Sequence, residues 1–221
     1  MRKSPLALLL SLICLISSHN EIQGQGYPPT DSLRQLAATC EGKDKHDLLM
    51  RIAMSTNDIA DWDATLNDAI DRCDTPAICR SRLNRIQCLF NFYSVDSAII
   101  EARESLPFIL NAKQYSFYFS TYNTFISGLF KQRRFDEARE EATTMFETAQ
   151  QVKQPVGMTM ALQVQGSMYY KLGLYDQALT SLEKGIAICP TYENGENQVL
   201  YISAVLYEWL FMTALKVNDT E

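Results

Sequence analysis

The sequence has little of the material from which catalytic and nucleotide-binding sites are usually built. It contains two histidines, nine glycines and seven prolines among 221 residues, and no glycine-rich phosphate loop. So little glycine and proline excludes a loop-rich all-β or collagen-like protein. A basic excess is also missing: 26 acidic residues outnumber 20 basic ones, whereas a nucleic-acid-binding protein would show a basic face. The hydrophobic content of 47% is that of a globular protein.

The amino terminus has the three-part layout of a secretory signal peptide. Arg2 and Lys3 precede an apolar run over residues 5–16, and small and polar residues follow. The run is too short to span a bilayer of about 30 Å. We therefore predict that residues 1–24 are a signal peptide and that the protein is exported to the periplasm. Ile13 stands before Cys14 where a bacterial lipobox requires a small residue, so no lipid anchor is expected.

Five cysteines remain after residue 24: Cys40, Cys73, Cys79, Cys88 and Cys189. Export implies an oxidising compartment, and an odd number leaves at least one thiol free or paired with another chain. Cys73 and Cys79 flank a turn and could form a disulfide; small buried thiols in a helical core are the alternative. Cys73, Cys79, Cys88 and His46 have the right chemistry for zinc ligands, but their spacing fits no zinc motif, so neither a metal site nor a cofactor is expected.

A short pattern recurs every 40 residues. An apolar residue, Asp, a polar residue and Ala begin at Val95, Phe135 and Tyr175, and a weaker copy begins at Trp62. The aspartate suits a helix N-terminus, and the alanine lets two helices approach closely. A second helical pattern precedes each copy, so the unit is predicted to be a helical hairpin. One hairpin cannot bury its apolar face alone, and stacked hairpins form a right-handed solenoid.

The periodicity predicts an all-α protein of antiparallel helix pairs. Residues 25–44 are assigned to a leader or linker, and residues 45–221 to a repeat domain of about four hairpins plus one terminal helix. Helices are predicted over residues 45–56, 62–73, 77–91, 95–111, 114–131, 135–152, 156–172, 175–187 and 196–216.

Residues 159–192 resemble a tetratricopeptide repeat (TPR). The matching positions are Leu162, Gly166, Tyr169, Gly173, Tyr175, Ala178, Leu182, Gly185 and Pro190. The two preceding units are degenerate, with Arg133 and Tyr93 at the turn glycine and Ile126 at the small position. The resemblance covers residues 45–217 and implies a right-handed TPR-like solenoid. Export and repeat length also resemble the periplasmic N-terminal repeats of Bacteroidetes sensor histidine kinases and regulators.

In the TPR family the first helix of each pair lines a concave groove. The resemblance places these candidate ligand-binding residues there: Gln87, Asn91, Asn123, Lys131, Gln163, Tyr170 and Lys171. Further groove positions are Arg80, Leu83, Phe90, Ser120, Ser127, Phe130, Met160 and Ser167. Amides, aromatics and single cations suit a peptide or helix as ligand, although solvated helix faces would show the same residues. Gln163 and Ser167 replace the clamp that holds a C-terminal carboxylate in chaperone-binding members, so that ligand is not expected.

No catalytic residues are assigned. His46 is the only histidine after residue 24, and its neighbours Lys45 and Asp47 predict a surface position. A nucleophilic cysteine would need a histidine within reach. We expect an exported, non-catalytic module that binds proteins or peptides, and specifically the sensory part of a two-component signalling protein. A free-standing envelope scaffold is the alternative, and a subunit of an envelope hydrolase is the alternative of another class.

Residues 199–217 are almost entirely apolar, interrupted mainly by Glu208 and Lys216. A membrane span would place Glu208 near its middle at a cost of about 2–3 kcal/mol, so the first helix of a further repeat is favoured. The last helix of a solenoid normally has a polar outer face, which this segment lacks. The sequence therefore predicts that the chain stops within a repeat, or that the protein self-associates through this helix. Any membrane contact would be made by a missing downstream region.

Overall fold

The computed structural model describes residues 30–189 and 197–218, and these residues contain helices and no strand. The predicted all-α class is confirmed. The signal peptide, Cys14, Pro190 and the last three residues lie outside the described ranges. The helices are α1 (Thr30–Ala37), α2 (Gly42–Thr56), α3 (Ile59–Asp71), α4 (Thr75–Cys88, extended by a π turn over Leu89–Tyr93), α5 (Val95–Asn111), α6 (Tyr115–Lys131), α7 (Phe135–Gln151), α8 (Pro155–Lys171), α9 (Tyr175–Ile188) and α10 (Asn197–Asn218).

Helix α1 lies within the segment predicted to be a leader or linker. It buries Leu33 and Ala37 against Leu48 and Ile52 of α2, forming a small apolar cluster. The helix has eight residues, so its apolar face consists of one i, i+4 pair. That is too short a pattern to be distinguished from a linker by periodicity.

The helices pack in a regular order. Each helix contacts the next one in sequence, and α4, α6, α8 and α10 also contact one another in that order. We call these four helices the A row, and α5, α7 and α9 the B helices. The main core lies between the two sets and includes the fully buried Phe125, Ile126, Ala142 and Leu182.

Most turns between helices close in the same way. The second residue of the turn has a left-handed backbone, as at Lys113, Arg133, Lys153 and Gly173, and the following amide bonds the carbonyl five residues earlier. This is the Schellman arrangement, which favours glycine. Arg133, predicted at a degenerate turn position, therefore adopts the same geometry as Gly173, with φ of 60° against 75°.

The end of α4 is different. Tyr93 occupies the turn-glycine position, and here the helix widens into a π turn closed by Ser94 N–H on the Leu89 carbonyl at 2.8 Å. The Tyr93 hydroxyl accepts from Ile59 N–H at 3.2 Å and donates to the Asn57 carbonyl at 3.4 Å. The π turn thus accommodates a bulky residue and ties the A row to the turn before α3.

Substitutions at two equivalent turns should have opposite effects. Gly173→Ala is expected to cost about 1 kcal/mol, because the backbone is left-handed there while nothing lies within 4 Å of an added Cβ. Arg133→Gly relieves the same strain and should leave stability unchanged or raise it by up to about 1 kcal/mol. Urea unfolding measures both variants. Equal losses would contradict a common left-handed turn.

Helix α10 is longer than its neighbours in the A row, with 22 residues against 17 in α6 and α8. Val199, Ile202 and Leu206 are buried where it packs on α8 and α9. Its outer side exposes large apolar residues: Tyr201, Tyr207, Phe211, Met212 and Leu215. The described residues include no helix long and apolar enough for a membrane span. Self-association through α10 stays a prediction.

Candidate functional site

The predicted groove residues lie on three adjacent helices of the A row. Gln87 and Asn91 belong to α4 and its π turn, Asn123 and Lys131 to α6, and the remaining three, Gln163, Tyr170 and Lys171, to α8. None of the seven is buried, and four of them are exposed: Gln87, Asn91, Lys131 and Lys171. Because α4, α6 and α8 pack side by side, the structure brings these residues onto one series of neighbouring helices.

Two further groove predictions are wrong. Leu83 and Met160 are only 8% and 7% exposed, and Met160 belongs to the main core. Both are large apolar side chains, and burial of such a side chain stabilises the fold by roughly 1.5–3 kcal/mol. They line the inner side of the A row and are not available to a ligand.

Aromatic rings and lysines alternate along the C-terminal ends of α4, α6 and α8. Lys131 Nζ lies 4.8 Å from the centre of the Phe90 ring. Lys171 Nζ lies 5.3 Å from the Phe130 ring and 5.6 Å from the Trp209 ring. We call these five residues the aromatic–lysine ladder. The 40-residue repeat produces it, because each helix places an aromatic residue directly before position 91, 131 or 171.

Trp209 was not predicted as a site residue. It lies on α10, contacts Lys171, and packs against Tyr170 with ring centres 5.4 Å apart in an edge-to-face arrangement. The feature of the sequence that could have identified Trp209 is its position 39 residues after Tyr170, close to the 40-residue repeat. Because α10 has apolar residues around its whole circumference, its sequence does not show that Trp209 lies on the side facing Lys171.

Several polar groups of this surface form no hydrogen bond or ion pair within the described part of the chain. Within residues 30–189 and 197–218, the side chains of Gln87, Asn91, Asn123 and Gln163 form no hydrogen bond. In the same ranges Lys131 and Lys171 form no salt bridge. Amide side chains offer both donors and acceptors to a ligand. The surface therefore combines unused hydrogen-bonding groups with aromatic rings and two cations.

Other polar groups of the A row bond residues of neighbouring helices. Arg85 on α4 bonds Asp63 on α3 at 2.6 Å and also Glu101 on α5. The hydroxyl of Tyr122 on α6 donates to Glu141 on α7 at 2.6 Å, and burial raises the pKa of Tyr122 above its ordinary value. These contacts hold the A-row helices against their neighbours and so help to fix the positions of the ladder residues.

The predicted surface position of His46 is wrong. His46 is 5% exposed, and its Nδ1 lies 3.1 Å from Oδ2 of Asp68, which also accepts from Arg72 Nε at 3.0 Å. His46 lies on the same helical face as Met50 and Ala53, both buried, because the three are four and three residues apart. Of its charged neighbours in sequence, Asp47 is exposed, whereas Lys45 Nζ lies 4.0 Å from Oδ1 of the same Asp68.

The five described cysteines carry free thiols, so the Cys73–Cys79 disulfide considered from the sequence is not formed. Cys73 is exposed whereas Cys79 is buried in the core. Burial raises the pKa of the Cys79 thiol above its ordinary value of 9.0, which keeps it protonated at neutral pH. Among the residues that the structure describes, no group of His, Cys, Asp and Glu is arranged to hold a metal ion.

Comparison with known proteins adds no family. No protein-family model and no curated protein matches the chain. The TPR resemblance of residues 159–192 accordingly stays a prediction carried by the residues quoted above.

Proposed function

We propose that the protein is an exported, non-catalytic TPR-like solenoid that binds a protein or peptide along its A row. The order of packing supports stacked hairpins, because each A-row helix contacts both its B helix and the next A-row helix. The observation that carries the binding role is the surface shared by α4, α6 and α8. It presents unbonded amides beside the aromatic–lysine ladder, a combination suited to an extended or helical peptide.

The biological setting that we propose is the periplasm, with the module serving as the sensory part of a two-component signalling protein. A free-standing envelope scaffold would use the same surface and differ only in its partner. The export proposal rests on residues 1–24. No specific observation favours the hydrolase alternative, since His46 is buried and bonded to Asp68.

A peptide selection tests the binding role. A library of random 12-residue peptides is panned on the wild type, and an enriched peptide is then titrated by fluorescence anisotropy. Gln87→Ala with Gln163→Ala, on the A row, should weaken binding about tenfold, because each lost hydrogen bond is worth about 0.5–1.5 kcal/mol.

The matched control removes two glutamines from the B helices. Gln150 on α7 and Gln177 on α9 are exposed, so their replacement by alanine leaves the fold and the A row intact. We expect this pair to change the affinity less than twofold. A library from which the wild type enriches nothing, or equal losses for the two pairs, would contradict binding on the A row.

A further inference from the structure

We propose that the peptide bound on the A row is an acidic one, with carboxylates held by Lys131 and Lys171. This inference rests on the proposed function, since it names the chemistry of the partner for that same surface. It draws on the distribution of charge between the two sets of helices and on the contacts of the two lysines.

Charge is segregated between three helices of the A row and the B helices, while α10 carries both Glu208 and Lys216. Helices α4, α6 and α8 contain no Asp or Glu, and their charged residues are Arg80, Arg82, Arg85, Lys131 and Lys171. Helices α5, α7 and α9 contain ten carboxylates and three cations. The carboxylates are Asp96, Glu101, Glu104, Asp136, Glu137, Glu140, Glu141, Glu147, Asp176 and Glu183. Helices α4, α6 and α8 therefore carry only cationic charges in a protein whose net charge is −6.

Not all of those cations are available to a partner. Arg85 is paired with Asp63 and Glu101, and Arg82 bonds Ser105 at 3.2 Å and lies over the Phe108 ring. In the described part of the chain Lys131 and Lys171 form no ion pair, and both are exposed. The unpaired cations on α6 and α8 thus coincide with the aromatic–lysine ladder.

The ladder positions the two ammonium groups without neutralising them. A ring face attracts a cation electrostatically but leaves the remaining N–H donors free for a carboxylate. Lys171 is held between Phe130 and Trp209, which restricts its side chain before a ligand arrives. Less side-chain entropy is then lost on binding, and the flanking rings can pack on apolar residues of the peptide.

The repeat geometry also sets the expected spacing of the carboxylates. Packed helices lie about 8–10 Å apart, and a peptide in the polyproline II conformation rises about 3.1 Å per residue with three residues per turn, so every third side chain lies on the same face. Lysines at equivalent positions of α6 and α8 therefore match acidic residues three positions apart. A basic peptide would find no carboxylate on α4, α6 or α8 to pair with.

The library selection described above tests this inference through the composition of the enriched peptides. We expect an excess of Asp and Glu with a preference for spacing of three. The best peptide, synthesised and titrated, should bind about tenfold more weakly to the Lys131→Met and Lys171→Met double variant, and more weakly to the wild type as NaCl rises from 50 to 500 mM.

The control is Lys113→Met with Lys153→Met. It changes the net charge equally, but it removes exposed lysines from the turns that precede α6 and α8. Its affinity should stay within about twofold of the wild type. Equal weakening by both pairs would mean only a long-range effect of net charge and would overturn the assignment of Lys131 and Lys171.

The remaining outcomes separate the two proposals. Enriched peptides that are neutral or basic would overturn the acidic ligand while leaving peptide binding intact. No enrichment at all would overturn peptide binding itself. A 12-nucleotide single-stranded DNA that binds as tightly as the acidic peptide, with the same dependence on Lys131 and Lys171, would show a surface for polyanions and would also overturn the inference.

Discussion

Gly166→Leu is expected to lower the free energy of unfolding by about 3 kcal/mol. A Cβ atom built on Gly166 would lie 2.5 Å from Cγ and 2.6 Å from Cδ2 of Leu182, so α8 and α9 could not keep their present separation. Leu182 is fully buried, so its displacement would disturb the core around it. Urea unfolding at constant pH measures the loss, and an unchanged unfolding free energy would contradict a close helix crossing at this position.

The clash can be isolated by a double-mutant cycle. Gly166→Ala already places a Cβ against Leu182, while Leu182→Ala removes the atoms that it would meet. The double variant should therefore lose less stability than the sum of the two single variants. Additive losses would mean that the cost of Gly166→Ala does not come from contact with Leu182.

Asp68→Ala is expected to cost about 3 kcal/mol, because it removes a buried carboxylate that bonds both His46 and the half-buried Arg72. The Asp68 side chain is 8% exposed and accepts from both His46 and Arg72, while Arg72 also bonds Asp74 at the start of α4. Its loss would leave His46 without its partner inside the junction of α2, α3 and α4. Chemical unfolding gives the magnitude.

Asp63→Ala is the matched control for that substitution. Asp63 is 48% exposed, and its partner Arg85 retains the second bond to Glu101. We expect a loss below about 1 kcal/mol, as for other solvent-exposed pairs. An Asp68→Ala loss no larger than that of Asp63→Ala would show that the His46 network contributes little to stability.

The repeat pattern predicted much of the fold because it is a local property. The Asp and Ala positions after Val95, Phe135 and Tyr175 each begin a B helix, and the bounds of α5 agree with the prediction. Gly166 lies at a close approach between helices, as its place in the TPR-like motif implies. These features depend on spacing along one helix or one turn, which a sequence displays directly.

Contacts between distant residues were beyond such reasoning. The burial of His46 depends on Asp68, which is 22 residues away, and the π turn of Tyr93 depends on space beside the turn before α3. Leu83 and Met160 occupy groove positions of the motif but are buried in this chain. A motif register assigns a helix face only approximately, even within residues 159–192, where Met160 lies.

Part of the candidate site could be predicted from the sequence, because some of its residues follow the repeat. Lys131, Tyr170 and Lys171 were identified through their register in the motif, and Phe90 and Phe130 were placed beside them. Each lysine contacts a ring of the preceding A-row helix, and Trp209 lies beside Lys171. These contacts arise only from the packing of neighbouring helices.

Fluorescence of Trp209 tests the binding surface most directly. The chain has two tryptophans, so a Trp62→Phe variant would emit from Trp209 alone. Titration with the selected acidic peptide should change this emission saturably, with the midpoint measured by anisotropy, and the change should disappear in the Lys131→Met and Lys171→Met background. Peptide binding seen by anisotropy without any change in Trp209 emission would contradict a ligand on the A row.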